Sequence, residues 1–225
     1  MKSEIVDNFI APLCEEHIEF LYQDEHILVI NKPSGLLSLS GKNPLNKDSV
    51  HWRLIQDYSE ATLPHRLDFG TSGVMLIALS KAVNAHLTKQ FQARTVNKTY
   101  LSLLAGHLIE DNGQIEQPIA KDPTIFPRLK LCASEGKYAL TEFKVLERRQ
   151  NPISTLVRYT PVTGRTHQLR LHSQYLQHCI LGCDLYGTEV TYQAASRLML
   201  HAESLEFTHP ATEKVQRIHC PAIFA

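Results

Sequence analysis

Short apolar runs, bounded by turn residues, recur along the chain and predict mainly β-strands. The run over 20–33 predicts two strands around Asp24-Glu25, closed by Pro33 and a Ser-Gly turn. The unbroken apolar segment over 73–80 predicts a buried strand. A further strand is expected over 98–107. Two hairpins are expected, one over 138–162 around the Gln-Asn-Pro-Ile turn and one over 204–220.

Three segments show helical spacing instead: 48–58, 81–94 and 166–177. Ser80 is placed to cap the second helix, and Thr166 is a candidate N-cap for the third. Strands outnumber helices and do not alternate regularly with them. We therefore predict an α+β fold with a central mixed, mainly antiparallel sheet. No repeat, low-complexity tract or long linker divides the chain.

The composition of the 225 residues, 43% hydrophobic and 20% charged, is typical of a soluble globular protein. The acidic N-terminus lacks the apolar core of a secretory signal. No apolar run approaches the roughly 18 residues that would suggest a membrane span. The five scattered cysteines favour reduced thiols over a disulfide framework, and so a cytoplasmic location. They are Cys14, Cys132, Cys179, Cys183 and Cys220.

The net charge is formally zero, yet the charges are unevenly distributed. No acid occurs from Phe69 to Ile109 or from Arg148 to Cys183. Two acid-free basic stretches in a neutral chain indicate one positive face that could meet phosphates, unless they cluster by chance on solvated surface. The basic residues of these stretches are Lys81, Lys89, Arg94, Lys98, Arg148, Arg149, Arg158, Arg165 and Arg170.

Three segments could carry chemistry: HRLDFGTSG over 65–73, Lys98-Thr99-Tyr100, and PVTGRTHQLRLH over 161–172. Each also has a structural interpretation. Asp68 could cap its turn through the following amides, and Tyr100 could be a packing residue. The third segment could be a capped helix that carries surface arginines.

Taken together, these three segments resemble the RluA-type pseudouridine synthases. NKPSGLLS over 31–38 and LMLHAESLEFTHP over 198–210 are similar to further segments of the family, in the family's order from about Leu21 to Cys220. The resemblance implies a catalytic domain over 21–225 with an active-site cleft, preceded by an N-terminal extension over 1–20. It also implies isomerisation of uridine in RNA without a cofactor. We expect no metal, since no cluster of residues has the spacing of metal ligands, and we expect the protein to be a monomer.

The resemblance assigns roles residue by residue. It implies that Asp68 is the catalytic aspartate, Tyr100 the active-site tyrosine and Arg170 the basic partner of the aspartate. Arg66 matches the arginine that helps to displace the target base. We expect four other residues to contribute to base flipping or RNA binding: His65, Thr71, Lys98 and Arg165. Phe69-Gly70 departs from the family pattern, which leaves the contacts of this loop open.

The chemistry accounts for these residue types. An ionised carboxylate can attack the sugar or move a proton there. A paired guanidinium would keep it ionised in a closed site. Tyr100 could present an aromatic face to the uracil. Arg66 could fill the gap that the base leaves in its stack.

Other classes of protein fit less well. A glycosidase usually needs two carboxylates, and neither the Asp68 stretch nor the Arg148–Cys183 stretch contains a second. A zinc site built from His172, His178, Cys179 and Cys183 lacks a standard spacing. A non-catalytic RNA-binding module would leave Asp68 unexplained. The resemblance favours large-subunit ribosomal RNA and the tRNA anticodon stem-loop as targets, with the sister subgroup that modifies tRNA elsewhere as the alternative.

Overall fold

A computed structural model of the chain describes residues 9–125 and 127–225. Within these residues, eleven β-strands and four α-helices form. The strands are β1 (Glu19–Gln23), β2 (Ile27–Lys32), β3 (Ser72–Ala78), β4 (Asn97–Ala105), β5 (Asn112–Glu116), β6 (Ile119–Lys121), β7 (Leu129–Leu131), β8 (Leu140–Gln150), β9 (Ile153–Pro161), β10 (Leu200–Thr208) and β11 (Val215–His219). The helices are α1 (Val50–Leu54), α2 (Lys81–Ala93), α3 (Gln168–Tyr175) and α4 (Glu189–Gln193).

Nine of these strands form one sheet in the order β1-β2-β3-β10-β4-β9-β8-β5, with β11 paired to β10. The β3–β10 pair is parallel, and the other pairs are antiparallel. Strands β6 and β7 form a separate two-stranded ribbon. The predicted α+β fold with a mixed, mainly antiparallel sheet is therefore confirmed. No helix in the described ranges is both long and apolar enough to cross a bilayer.

Strand β3 is the centre of one half of the sheet, and every one of its residues is buried. Because successive side chains of a strand point to opposite faces, its two faces join different clusters. Val74 and Leu76 pack in the cluster that contains α2, and Met75 and Ile77 pack in the one that contains α1. The predicted cap of α2 is confirmed, since the Ser80 side chain accepts a hydrogen bond from the amide of Val83.

The other half of the sheet packs against α3, whose Leu169 and Leu171 join a cluster with residues of β4, β8 and β9. Tyr100 of β4 contacts both this cluster and the α1 cluster. It therefore stands at the junction of the two halves. Gly73, at the start of β3, has a φ of +111°, and a Cβ there would lie 2.3 Å from the carbonyl oxygen of Ala202. Only glycine allows β3 and β10 to approach so closely at this point.

Two local predictions differ from the structure. Helix α3 begins at Gln168, and its N-cap is His167 in a left-handed conformation rather than Thr166. No side chain caps this helix; instead the Gln168 side chain accepts hydrogen bonds from Thr163 Oγ1 and the amide of Arg165. Strands β5 to β7 and helix α4 were not predicted, because each is only three to five residues long and at most one of its residues is buried.

The segment before β1 packs against the domain from residue 9 onward. Arg53 donates hydrogen bonds to the carbonyls of Cys14 and Glu16, and the Asn46 side chain binds the backbone of Phe9 and Ala11. The first strand begins at Glu19, just before the expected boundary. Residues 1–8 of the expected extension lie outside the described residues.

Candidate active site

The loop that carries Asp68 is held by the segment over 31–38. The ammonium of Lys32 donates to the carbonyl of Phe69 at 3.2 Å, and Ser34 Oγ donates to the carbonyl of Gly70 at 2.7 Å. The amide of Gly35 also donates to the Phe69 carbonyl. Lys32 is fully buried, and burial lowers its pKa to about 7. Hydrogen bonds to the backbone carbonyls of Phe69 and Gly70 thus fix this loop, and the Asp68 side chain takes no part in them.

The Asp68 carboxylate does not cap its own turn. The amide of Thr71 donates to the backbone carbonyl of Asp68 at 3.1 Å, not to the carboxylate. Over the ranges 9–125 and 127–225, the carboxylate accepts no hydrogen bond. The one basic side chain within 4.0 Å of it there is His167, whose Nε2 lies 4.0 Å from Oδ2. With 26% of its side chain exposed, Asp68 is a reachable acid that serves no local structural purpose.

Tyr100 stands beside this carboxylate. Burial, and secondarily the charge of Asp68, raise the pKa of Tyr100, so its hydroxyl stays protonated at neutral pH. The described residues offer this hydroxyl no hydrogen-bond partner. An aromatic ring next to a carboxylate at a junction between core clusters suits a flat ligand such as a base.

The contacts of Arg170 correct one expectation. Its guanidinium donates to the Asp184 carboxylate and to Cys183 Sγ, with nitrogen–sulfur distances of 3.3 and 3.4 Å, rather than to Asp68. Burial acts to lower the pKa of Arg170, but Cys183, Asp184 and Asp68 together outweigh it and raise the pKa. Asp68 therefore interacts electrostatically with the Arg170 guanidinium but forms no direct hydrogen bond with it. The sequence analysis did not single out Asp184, which is the first residue after the acid-free stretch that ends at Cys183.

Two residues of the site were not singled out from sequence: His167 and Tyr186. The Tyr186 hydroxyl lies 2.7 Å from His167 Nδ1 and accepts a hydrogen bond from the amide of Leu129 at 3.0 Å. The Arg170 guanidinium lies 5.2 Å from the centre of the Tyr186 ring. His167 lies inside the quoted TGRTHQLR segment, but nothing in the spacing distinguishes it from a surface residue at a helix start.

The structure assigns structural contacts to two of the residues expected to bind RNA. His65 Nε2 accepts a hydrogen bond from the amide of Leu76, and its ring stacks on Phe91 with the ring centres 4.5 Å apart. Burial, aided by the charge of Lys98, lowers the pKa of His65 to about 3. Thr71 is only 2% exposed. His65 Nε2 is thus committed to the backbone of β3, and Thr71 lies within the turn, where its amide bonds to the Asp68 carbonyl.

The other basic residues around Asp68 are free of acidic partners. Across the part of the chain that the structure describes, no ion pair forms at Arg66, Arg94, Lys98 or Arg165. Arg165 donates instead to the carbonyl of Tyr138. Lys98 lies near Arg94, whose charge adds to burial in lowering the pKa of Lys98. A Cβ at Gly164 would stand 3.4 Å from Lys98 Nζ, which places this ammonium beside the β9–α3 loop.

The positive face is smaller than the sequence indicated, because most arginines of the second stretch are neutralised. Arg148 pairs with an acid of another segment, Arg149 with Glu147, and Arg158 with Glu203 through two nitrogens. We name as the basic rim the four residues Arg66, Arg94, Lys98 and Arg165. Lys81 and Lys89 of α2 also form no ion pair among the described residues, but they are not counted in this rim.

No group of three potential metal ligands is found among the described residues. The residues of the zinc alternative have other contacts. His172 bonds to Thr141 Oγ1 and the carbonyl of Gln117, and His178 bonds to the carbonyl of Ala105. The sulfur of Cys183 faces Arg170.

A free aspartate beside a buried tyrosine, with unpaired basic residues on the neighbouring segments, is a set of groups that suits chemistry on a nucleic acid, and comparison with known proteins agrees. A family model described as RNA pseudouridylate synthase matches residues 26–175. The dual-specificity RNA pseudouridine synthase RluA of Yersinia pestis is 46% identical over 91% of this chain and 98% of the relative. The protein of the same name from Escherichia coli strain K12 is 42% identical over 97% and 99%.

Solved structures show the same similarity. The human protein named RNA pseudouridylate synthase domain containing 1 superposes with a TM-score of 0.79 and 30% identity, over 95% of this chain and 87% of that one. The human protein RNA pseudouridylate synthase domain containing 4 superposes with a TM-score of 0.71 and 25% identity, over 92% of this chain and 89% of that one. The chain belongs to the RNA pseudouridylate synthase family. It is an RNA pseudouridine synthase, and the alternative of a non-catalytic RNA-binding module is set aside.

Proposed function

We propose that the chain converts specific uridines to pseudouridine in both large-subunit ribosomal RNA and the anticodon stem-loop of tRNA, with Asp68 as the catalytic carboxylate. The observation that carries the catalytic role is that this carboxylate is reachable and serves no structural purpose. Dual-specificity relatives, matched over nearly their whole length, support two substrates rather than the narrower tRNA alternative.

The reaction breaks the N1–C1′ bond of uridine, turns the uracil and joins C5 to C1′. No atom is gained or lost apart from a proton that moves from C5 to N1, so no redox partner is required. In our proposal Asp68 acts at the sugar, either by attacking C1′ or by moving a proton. Tyr100 holds the detached uracil against its ring.

The basic rim would bind the RNA around this centre. Lys98 and Arg165 flank the site without acidic partners, as phosphate-binding residues do. Arg66 is exposed and lies two residues before Asp68. It could therefore enter the stack when the base leaves, which offsets part of a cost of a few kcal/mol. Arg170 would act on Asp68 through its charge, and it would hold the ring of Tyr186 in place, without pairing directly with the carboxylate.

Turnover of two synthetic RNAs tests the proposal: an anticodon stem-loop and a stem-loop of large-subunit ribosomal RNA, each with its uridines mapped for pseudouridine. The wild type should modify one defined uridine in each. Asp68→Asn keeps the shape and removes the charge, so it should abolish turnover and leave RNA affinity within a few-fold. Near wild-type turnover by this variant would end the assignment of Asp68. Modification of one RNA alone would reduce the proposal to a single specificity.

We further propose that the protein acts as a monomer in the cytoplasm. All five cysteines are free thiols in the structure, which suits a reducing compartment. Sedimentation of the protein with and without a stem-loop would test the monomer, and a dimer in both states would contradict it.

A further inference from the structure

His167 occupies an unusual backbone conformation next to the catalytic carboxylate. Its φ and ψ are 55° and 17°, in the left-handed region that residues other than glycine rarely adopt. It stands where the β9–α3 loop turns into α3, and its side chain is 11% exposed. Residues in such conformations persist where the surrounding structure enforces them, and they cluster at functional sites. The conformation directs the imidazole edge at Asp68.

The hydrogen bonds around His167 assign the protons on its ring. The Tyr186 hydroxyl accepts from the amide of Leu129, and in the described residues the one acceptor for its own proton is His167 Nδ1. A hydroxyl that donates this proton makes Nδ1 the acceptor, and the neutral ring then carries its own proton on Nε2. That N–H is the one that faces Oδ2 of Asp68, at a nitrogen–oxygen distance of 4.0 Å.

Burial of the ring favours its neutral form. Burial lowers the pKa of His167, and Arg170 lowers it further, whereas Asp68 and Asp184 act in the opposite direction without reversing the shift. A neutral imidazole can donate a hydrogen bond to a carboxylate without cancelling its charge. This differs from a direct salt bridge, which would hold the carboxylate against a cation.

We propose that His167 is a positioning residue for Asp68, with its tautomer set by Tyr186, and that its Nε2–H donates to the Asp68 carboxylate when the site closes on RNA. Catalytic hydrogen bonds are often long before the substrate is bound and tighten in the complex. A donor at this point would aim one carboxylate oxygen and leave the other for the sugar. The proposal rests on the proposed function of Asp68, and it gives His167 the orienting role that sequence had suggested for Arg170.

The first test does not depend on activity. Histidine side-chain nitrogens of the ¹⁵N-labelled protein are followed by NMR against pH, with the His167 signal assigned by its loss in His167→Asn. We expect the Nε2–H tautomer in the wild type and a lower His167 pKa in Asp68→Asn, since removing the Asp68 charge removes a favourable interaction with the imidazolium. An unchanged pKa would show that the two groups are not coupled and would overturn the proposal.

The second test is kinetic. Asn tolerates the left-handed conformation and keeps an acceptor near the Nδ1 position, but it cannot reach Asp68. We expect His167→Asn to lower kcat by about 100-fold, the scale of losing one preorganised donor, with KM for RNA within about threefold. His167→Gln places an N–H near the Nε2 position and should recover about tenfold. A wild-type kcat in His167→Asn, or no recovery with Gln, would contradict a positioning role.

Tyr186→Phe tests the control of the tautomer, with Tyr159→Phe as its matched control. Tyr159 is also a buried tyrosine, and its hydroxyl forms a hydrogen bond with Ser173 Oγ at 2.7 Å. Among the described residues it forms no hydrogen bond with His167. Tyr186→Phe should allow both His167 tautomers in the NMR spectrum and lower kcat, whereas Tyr159→Phe should change neither. Equal effects of the two variants would indicate general destabilisation and overturn the relay. If the NMR coupling is present but the wild type turns over neither RNA, the proposed substrates fail and the positioning of Asp68 stands.

Discussion

The guanidinium of Arg170, 5% exposed, donates from inside the core to the carboxylate of Asp184, which is 57% exposed. Between them and the loop that carries Asp68 lie the ring of Tyr186 and the imidazole of His167. The buried guanidinium is therefore neutralised by a carboxylate on the solvent side, and two side chains, Tyr186 and His167, separate it from Asp68.

The Arg170–Asp184 pair should contribute measurably to folding. Arg170→Ala should lower the free energy of unfolding by about 3 kcal/mol, at the lower end of values for buried pairs because the released Asp184 stays hydrated. Asp184→Asn should lower it by about 3 kcal/mol or more, because it leaves the buried guanidinium without a counter-charge. Arg170→Lys keeps the charge without the fork and should fall between the wild type and Arg170→Ala. Urea denaturation measures all three, and an unchanged stability of Asp184→Asn would show that the pair adds nothing.

The basic rim should determine the salt dependence of RNA binding. Arg94→Ala, Lys98→Ala and Arg165→Ala should each reduce the slope of log affinity against log salt by about 0.7 on a single-stranded loop, for each phosphate that is no longer neutralised. Arg149→Ala serves as the matched control, because Arg149 already pairs with Glu147 and lies outside the rim. Slopes that respond equally to Arg149→Ala, or to none of the variants, would remove the rim as the RNA-binding surface.

Arg66 should behave differently from the rest of the rim. If it fills the space left by the flipped base, it acts after binding. Arg66→Ala should then reduce single-turnover rates far more than RNA affinity, and Lys98→Ala should do the reverse. An RNA in which the target uridine is mismatched, and so costs less to unstack, should partly restore the rate of Arg66→Ala. No restoration would argue that Arg66 contacts phosphate instead.

Acid should destabilise the folded protein through its buried histidines. The pKa of His65 is about 3 in the folded state, against an ordinary value of 6.5. Between these values the unfolded chain binds more protons, so the free energy of unfolding should fall as the pH falls from 6.5 toward 3. His65→Gln keeps an acceptor for the amide of Leu76 and cannot titrate. It should show a shallower fall below about pH 6.5, relative to the wild type and to a Gln substitution at the exposed His86. An unchanged slope would place the effect elsewhere.

Local sequence determined the elements whose signals are complete within a few residues. The apolar run of β3 predicted a fully buried strand, because a strand covered on both faces needs apolar side chains at every position. The Ser80 cap and the spacing of Val83 and Leu87 predicted α2. The short strands β5 to β7 lacked such a signal, since their pairing rather than their composition stabilises them.

The sequence by itself also determined the family, through ordered motifs around Asp68, Tyr100 and Arg170. Only the tertiary structure decided which of these side chains contact each other. Arg170 pairs with Asp184 and not Asp68, His65 bonds to the backbone of β3, and His167 faces the carboxylate. The physical reason is that a motif specifies which groups are available, whereas hydrogen-bond partners depend on the approach of segments far apart in the chain. Asp68 and His167 are remote from each other in the sequence, and the packing of α3 against the sheet brings them within 4.0 Å.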